Sequence, residues 1–273
     1  MDGKADLHLH TAYSDGVLTP HNLLVQAHRA RLTIISINDH DNTGALDEAI
    51  PEAELMGIEV IAGVELSTTV DAQDIHLLGY FFDHRNSTLQ DYLKVFRAER
   101  RKRAELIVMR LHDLKIPLSF DSVLARAGKG SIGRPHIAAA MVEDGLIDSY
   151  QEAFYRYLGF GKPAYEQKYQ ISPVEAIRLV AEAGGLSFVA HPGSSIDERV
   201  LLGLIKEGVD GIEVVHPSHN EERTAYYRGI ADEYFLLASG GSDFHGGRKN
   251  DDDTLGRFTV TADAVSVMRQ RLR

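Results

Sequence analysis

The 273-residue chain reads as an α/β fold, a barrel-sized set of parallel strands interrupted once by a block of helix. Two observations predict it. Short apolar runs of the kind found in buried strands alternate with helical segments in the first third of the chain and again in the last third. Between them, from about residue 85 to 168, the pattern is helical and often charged, with no convincing strand. Strands that are apolar throughout and separated by helices belong to a parallel sheet covered on both faces. Seven such strands can be counted, enough to close a barrel.

In chain order, residues 5–10 form the first strand. Thr19-Pro20 supplies an N-cap and a first-turn proline for a helix to about residue 30. Residues 33–38, with Ile34, Ile35 and Ile37, are a buried strand, and 43–56 a helix that Pro51 kinks or breaks. Strands follow at 58–66 and 75–82. A long helix over 88–114 has no internal glycine or proline, and 134–143 and 149–157 add further helix. Ser172-Pro173 then caps a helix to residue 183. Strands at 186–190, 211–215 and 235–239 alternate with helices at 197–207, 221–233 and 262–272. The division is a barrel from 1–84 and 169–273, with 85–168 inserted as a helical cap over the substrate.

Hydrophobic residues make up 44% of the chain and charged residues 25%, ordinary for a globular protein with a full core. A formal net charge of −11 argues against a surface that coats long duplex nucleic acid. It is compatible with a small phosphorylated substrate, because bound divalent cations reverse the local field. There is no cysteine, so any metal must rest on imidazole and carboxylate, a donor set suited to Zn, Mn, Fe or Mg. No apolar run reaches the roughly 18 residues that span a bilayer. Met1-Asp2-Gly3-Lys4 leads into the first strand without a signal-peptide core, so a cytoplasmic location without membrane partners is expected. The sequence carries no signal for an oligomeric state.

The segment Asp6-Leu7-His8-Leu9-His10 places two histidines at i, i+2, on one face of a strand. Asp15 follows in the turn beyond. Further strands end in Asn38-Asp39-His40-Asp41, Gly63-Val64-Glu65, Asp74-Ile75-His76, Ala190-His191-Pro192 and Ser242-Asp243-Phe244-His245. The C-terminal ends of parallel strands converge on one mouth, so these groups are expected to meet there. Asp39 is expected to orient His40 as an outer hydrogen-bond acceptor, and Asp41 to cap the helix that follows. His21, His28, His84 and His112 read as ordinary surface histidines. The run Arg97-Ala98-Glu99-Arg100-Arg101-Lys102-Arg103 reads as a solvated helix surface.

Taken together and in order, these segments resemble the polymerase and histidinol phosphatase (PHP) family of metal-dependent phosphoesterases. The resemblance covers about residues 1–84 and 169–260. It implies a distorted barrel of seven β/α units and a cluster of two to three divalent metals, Mn, Zn or Fe. One metal would be held by His8, His10, Glu65 and Asp243. Glu65 would bridge to a second, held also by His76 and His191, and Asp15, His40 and His245 would take the third. Asn38 stands where the family usually has threonine. Members with histidinol phosphate activity often have histidine at the place of Asp15, which makes that activity the less favoured alternative.

Gly133-Arg134-Pro135-His136, Gly161-Lys162-Pro163-Ala164-Tyr165 and Gly211-Ile212-Glu213-Val214-Val215-His216-Pro217-Ser218-His219 resemble the subgroup acting on nucleoside 3′,5′-bisphosphates. Some of its members also trim short RNA or DNA from the 5′ end. The expected reaction is hydrolysis of a nucleotide phosphate monoester, the 3′-phosphate of a 3′,5′-bisphosphate, by metal-activated hydroxide. A 5′-3′ exonuclease acting on short oligonucleotides is the alternative within that chemistry. A non-catalytic metal-binding module is the rival outside it; that state is marked by lost ligands, and this chain keeps nine candidates. Arg134 offers a bidentate fork for phosphate. His136 and His219 are candidates for phosphate contact or for protonating the leaving oxygen. Lys162 and Tyr165 are weaker substrate contacts, Tyr165 as a stacking surface for a base.

Overall fold

The computed structural model describes residues 3–71, 73–169, 171–193, 196–247 and 251–272, so Met1-Asp2 lies outside the described residues. The strands are β1 (Lys4–Leu9), β2 (Ile34–Ile37), β3 (Glu59–Val70), β4 (Gln73–Tyr80), β5 (Leu186–Val189), β6 (Gly211–Val215), β7 (Leu237–Gly240) and β8 (Val260–Thr261). They lie in one sheet in the order β7-β6-β5-β4-β3-β2-β1-β8. The sheet curls until it is nearly closed. Beyond β7, Phe244 bridges Leu9 in parallel, and its carbonyl accepts the His10 amide at 3.0 Å.

The strand pairs β1–β2, β2–β3, β5–β6 and β6–β7 are parallel, as continuous apolar burial on both faces requires. Two departures correct the expected all-parallel barrel of seven. β4 runs antiparallel to both β3 and β5, and the short β8 runs antiparallel to β1. The reason is chain length. β3 extends through Ser67, Thr68 and Thr69 to Val70, so that β4 begins three positions later at Gln73. A parallel return needs a crossover of about a dozen residues, so a hairpin is the available connection. At two residues, β8 is too short to show a period in the sequence.

The helices are α1 (Pro20–Arg29), α2 (Gly44–Leu55), α3 (Ser87–Asp113), α4 (Phe120–Ala127), α5 (Arg134–Glu143), α6 (Tyr150–Ala153), α7 (Pro173–Glu182), α8 (Glu198–Lys206), α9 (Glu221–Glu233) and α10 (Ala262–Arg271). The Thr19 hydroxyl accepts the Asn22 amide, and Ser172 with Glu175 forms a full capping box, both as the cap residues predict. α2 runs on through Pro51 to Leu55 without stopping. α4 is an additional element that the sequence pattern did not announce. α6 continues into a π-helical turn, Phe154–Leu158.

From α3 to that turn the helices share an apolar cluster that includes Ile107, Leu111, Val123, Ile137, Met141 and Leu158. The start of α3 belongs elsewhere: Leu89, Leu93 and Phe96 pack with Leu66, Leu77 and Val180 of the barrel. The middle of α3 therefore sits at the seam between two cores, above the barrel mouth. Among the described residues no helix is long and apolar enough to cross a membrane.

Candidate metal centre

Glu65, 1% exposed near the middle of β3, is the hub. Its Oε2 lies 3.5 Å from His8 Nε2, 3.3 Å from His10 Nε2 and 3.1 Å from His40 Nδ1. Its Oε1 lies 2.6 Å from His76 Nδ1 and 2.9 Å from His191 Nε2. Asp243 Oδ1 stands 3.1 Å from His10 Nε2 and 3.5 Å from His8 Nε2. Asp15 Oδ1 stands 3.2 Å from His245 Nε2 and 3.7 Å from His40 Nε2. All nine residues expected at the site thus converge on one mouth.

The donors fit metal ions. An ion with bonds of about 2.1 Å holds its donors roughly 3–3.5 Å apart, which is the spacing around Glu65 and Asp243. Four groups that could hold a metal ion are His8, His10 and Asp243; His40, Glu65 and His76; His10, Asp15, His40 and His245; and His8, Glu213 and His216. His40 Nδ1, His76 Nε2 and His245 Nε2 are buried and make no hydrogen bond among the described residues, as lone pairs aimed at a cation would be. His8 Nε2 and His10 Nε2 face each other at 3.1 Å, an arrangement that a shared cation would reconcile.

Local structure fixes these directions. His8 and His10 project to one side because β1 is extended, and the rings lie 5.1 Å apart. A Cβ on Gly241 would overlap the His8 backbone, so only glycine lets the end of β7 close against β1 there. Asp41, His191 and Asp243 have φ of 49°, 26° and 49°, left-handed turns at strand ends that swing their side chains into place. His76 is different. It is the fourth residue of the antiparallel β4, so it reaches the mouth from the early part of a strand, not from the C-terminal end that the parallel reading assumed.

The charges sort into two kinds. Burial lowers the His40 and His76 pKa values, and the carboxylates nearby do not restore them. Burial also acts to lower His8, His10 and His191, but Glu213, Asp243 and Glu65 outweigh it, and His10 is raised to about 9. Glu65 would be raised by burial; the surrounding imidazoles hold it well below the usual carboxylate range.

Asp39 does not orient His40. It accepts the Thr11 amide and the hydroxyls of Thr11 and Ser14, and Ser14 Oγ lies 3.3 Å from His10 Nδ1, so Asp39 steadies His10 instead. Asp41 is not a helix cap either. It accepts the Ser67 amide and takes two N–H donors of Arg100.

A cleft of about 270 Å³ opens beside the cluster, with Asp15, His40 and His76 in its lining. The same cleft is lined by Arg100, Arg103, Arg134 and Lys168, with Tyr150 and Phe154. Arg134, expected here, donates to the Leu158 carbonyl and lies over the Phe154 and Tyr165 rings. The other predicted contacts do not line this cleft. His136 Nδ1 accepts the Gly133 amide in the capping box of α5. His219 Nδ1 donates to the Val214 carbonyl while Nε2 accepts the Gly193 amide, so both ring nitrogens serve the backbone. Lys162 packs over Tyr155, and Tyr165 over Phe160, outside the cleft lining.

Arg100 and Arg103 overturn the solvated reading of the basic run. They are only 13% exposed and buried, respectively, while Arg101 and Lys102 face solvent. A signal was present: positions 96, 100, 103, 104 and 107 share one helical stripe, and its other members are apolar. Glu213 was also missed, although an acid inside the apolar strand Gly211–Val215 is conspicuous.

Residues 6–158 match the PHP domain family model. The chain belongs to the PHP domain family. This PHP domain is 34% identical over 251 residues to a 5′-3′ exoribonuclease of Haemophilus influenzae, covering 90% of this chain and 91% of the relative. It is also 34% identical over 246 residues to a 3′,5′-nucleoside bisphosphate phosphatase of Chromobacterium violaceum, covering 88% of this chain and 86% of that one. A crystal structure described as a metal-dependent phosphoesterase from Bifidobacterium adolescentis superposes with a TM-score of 0.90 at 32% identity, covering 98% of this chain and 96% of that one. This PHP domain is a metal-dependent phosphoesterase with a nearly closed α/β barrel.

Proposed function

We propose that the protein removes the 3′-phosphate from nucleoside 3′,5′-bisphosphates. One observation carries the reading: a single cleft is lined both by the metal-ligand residues Asp15, His40 and His76 and by four cationic side chains. A substrate with two phosphates suits both sets of groups. The phosphate to be cleaved would face Asp15, His40 and His76, and the second would meet Arg100, Arg103, Arg134 and Lys168. The similarity to the Chromobacterium violaceum phosphatase supports it.

In this reading two to three ions of Mn, Zn or Fe are held by His8, His10, Glu65 and Asp243; by Glu65, His76 and His191; and by Asp15, His40 and His245. When bound, such ions neutralise phosphoryl oxygens and bring the pKa of a water toward about 7. The protein's own groups bind and orient. Arg103 donates its Nε–H to the Glu166 carbonyl, and its Nη2 is buried without a hydrogen bond among the described residues, which leaves donors for a phosphate oxygen. Lys168 is held 3.0 Å from Asp74, at the cleft wall. Tyr150 and Phe154 offer apolar faces to a base. Residues 85–168 act as the substrate cap, and nucleotide substrates of this kind place the work in the cytoplasm.

The test is phosphate release from a nucleoside 3′,5′-bisphosphate with Mn²⁺, against the 3′- and 5′-monophosphates. Preference for the bisphosphate is the expected result; no release with any divalent metal would overturn the reading. Trimming of short oligonucleotides from the 5′ end is the second reading, favoured by similarity to the Haemophilus influenzae exoribonuclease.

A further inference from the structure

We infer that Glu213 is a positioning residue that sets two metal ligands at once, one on each side of the Glu65 hub. The inference rests on the metal reading of His8 and His191 given above. Glu213 is fully buried in the middle of β6, and its neighbours Ile212 and Val214 belong to the apolar core. A carboxylate in such a place is costly unless both of its oxygens are satisfied. Here both are. Oε1 lies 2.9 Å from His8 Nδ1, and Oε2 accepts the backbone N–H of His191 at 2.6 Å.

The two bonds do different things. An ionised carboxylate only accepts, so the His8 proton sits on Nδ1 and the Nε2 lone pair turns toward Glu65 and Asp243. The second bond acts on the main chain. His191 has φ of 26°, a conformation that L-residues rarely adopt, and the bond to its N–H holds the end of β5 in that shape. The ring is thereby delivered to Glu65 Oε1 at 2.9 Å, whereas His8 faces Oε2. One side chain on β6 therefore orients a ligand from β1 and a ligand from β5. The spacing of the two metal positions depends on it.

Glu213→Gln and Glu213→Asp test this by metal titration against a chromophoric chelator, elemental analysis, and the visible spectrum of the Co²⁺-loaded protein. Gln keeps the shape but presents an amide N–H₂ to one of two donors; Asp keeps the charge on a shorter arm. E213Q is expected to keep the far-ultraviolet circular dichroism of the wild type. Its metal affinity should fall about 10- to 100-fold at two positions, with an altered Co²⁺ spectrum, and E213D should recover part of the loss. Ile212→Val, a core change beside it, is expected to lower stability without moving the spectrum. Wild-type affinity and spectrum in both Glu213 variants would overturn the inference. Weakening of one position alone would overturn the shared role. Loss of a whole ion at saturating metal would overturn it too, by making Glu213 a ligand together with His8 and His216. A wild-type protein that binds no metal would instead sink the metal reading on which the inference rests.

Discussion

Arg100 reaches from α3 to the buried Asp41, with Nε at 2.9 Å and Nη2 at 2.5 Å from the same carboxylate oxygen, and Nη2 also donates to Ser67 at 2.9 Å. Asp41 sits next to His40, so the arginine that lines the cleft also ties the long helix to the strand end beside a metal-ligand residue. Arg100→Met leaves the buried Asp41 carboxylate without its cation, with the Ser67 amide still bound. We expect a loss of about 3–5 kcal/mol in urea unfolding, partly recovered when Asp41→Asn is added.

Arg134 and Lys168 should contribute binding, not chemistry. Arg134→Ala or Lys168→Ala is expected to raise KM for a 3′,5′-bisphosphate about 10- to 100-fold, with kcat changed only a few-fold. The 3′-monophosphate should be affected much less. Steady-state kinetics on the two substrates checks this, and equal effects on both would count against a second-phosphate site.

His8→Ala with His10→Ala should abolish turnover and lower stability, because Glu213 Oε1 loses its buried partner, while the circular dichroism spectrum of the strands and helices stays in place. Activity that survives would contradict the site assignment.

Loading the metal-free protein should release protons. His10 is raised from 6.5 to about 9, so it carries a proton near pH 7.5 that a cation must displace, and Glu65 shifts His191 in the same direction. The sign for stability follows: in the metal-free fold the His10 contribution is complete below 6.5 and is lost as pH rises through about 9. Titration calorimetry in buffers of different ionisation enthalpy should show proton release at pH 7.5 that shrinks above about pH 9. Release that does not vary with pH would contradict the raised values.

Arg31, Lys115 and Phe235 each follow a helix C-cap with φ of 58°, 65° and 55°, where glycine is the unstrained residue. Phe235 is 84% exposed, so replacing it loses little packing. Phe235→Gly should stabilise the protein by about 0.5–1 kcal/mol, measured by thermal or urea unfolding.

Much of this was legible in the sequence because the signals were local. The i, i+2 histidines, the cap residues Thr19 and Ser172 and the apolar strands each announce themselves within a few positions. What stayed hidden depended on partners far along the chain. Asp41 reads as a cap from its neighbours alone, and its true partner is 59 residues away. Arg100 and Arg103 look like surface charge until the seam between two cores is known. His219 looks reactive until Val214 and Gly193 are seen to occupy both of its nitrogens. The direction of β4 is not encoded in its strand pattern; its only sequence signal is the connection between the expected strands 58–66 and 75–82, which is shorter than the roughly dozen residues a parallel crossover needs.

That reversal of β4 has a consequence for how the gene tolerates change. Hairpin register pairs Ser67 with His76 and Glu65 with Leu78, and side chains alternate faces at every step. A deletion or insertion of one residue between Val70 and Gln73 would slip the pairing by one and turn His76 away from Glu65. The short connection from Val70 to Gln73 should therefore accept substitutions freely and reject changes of length.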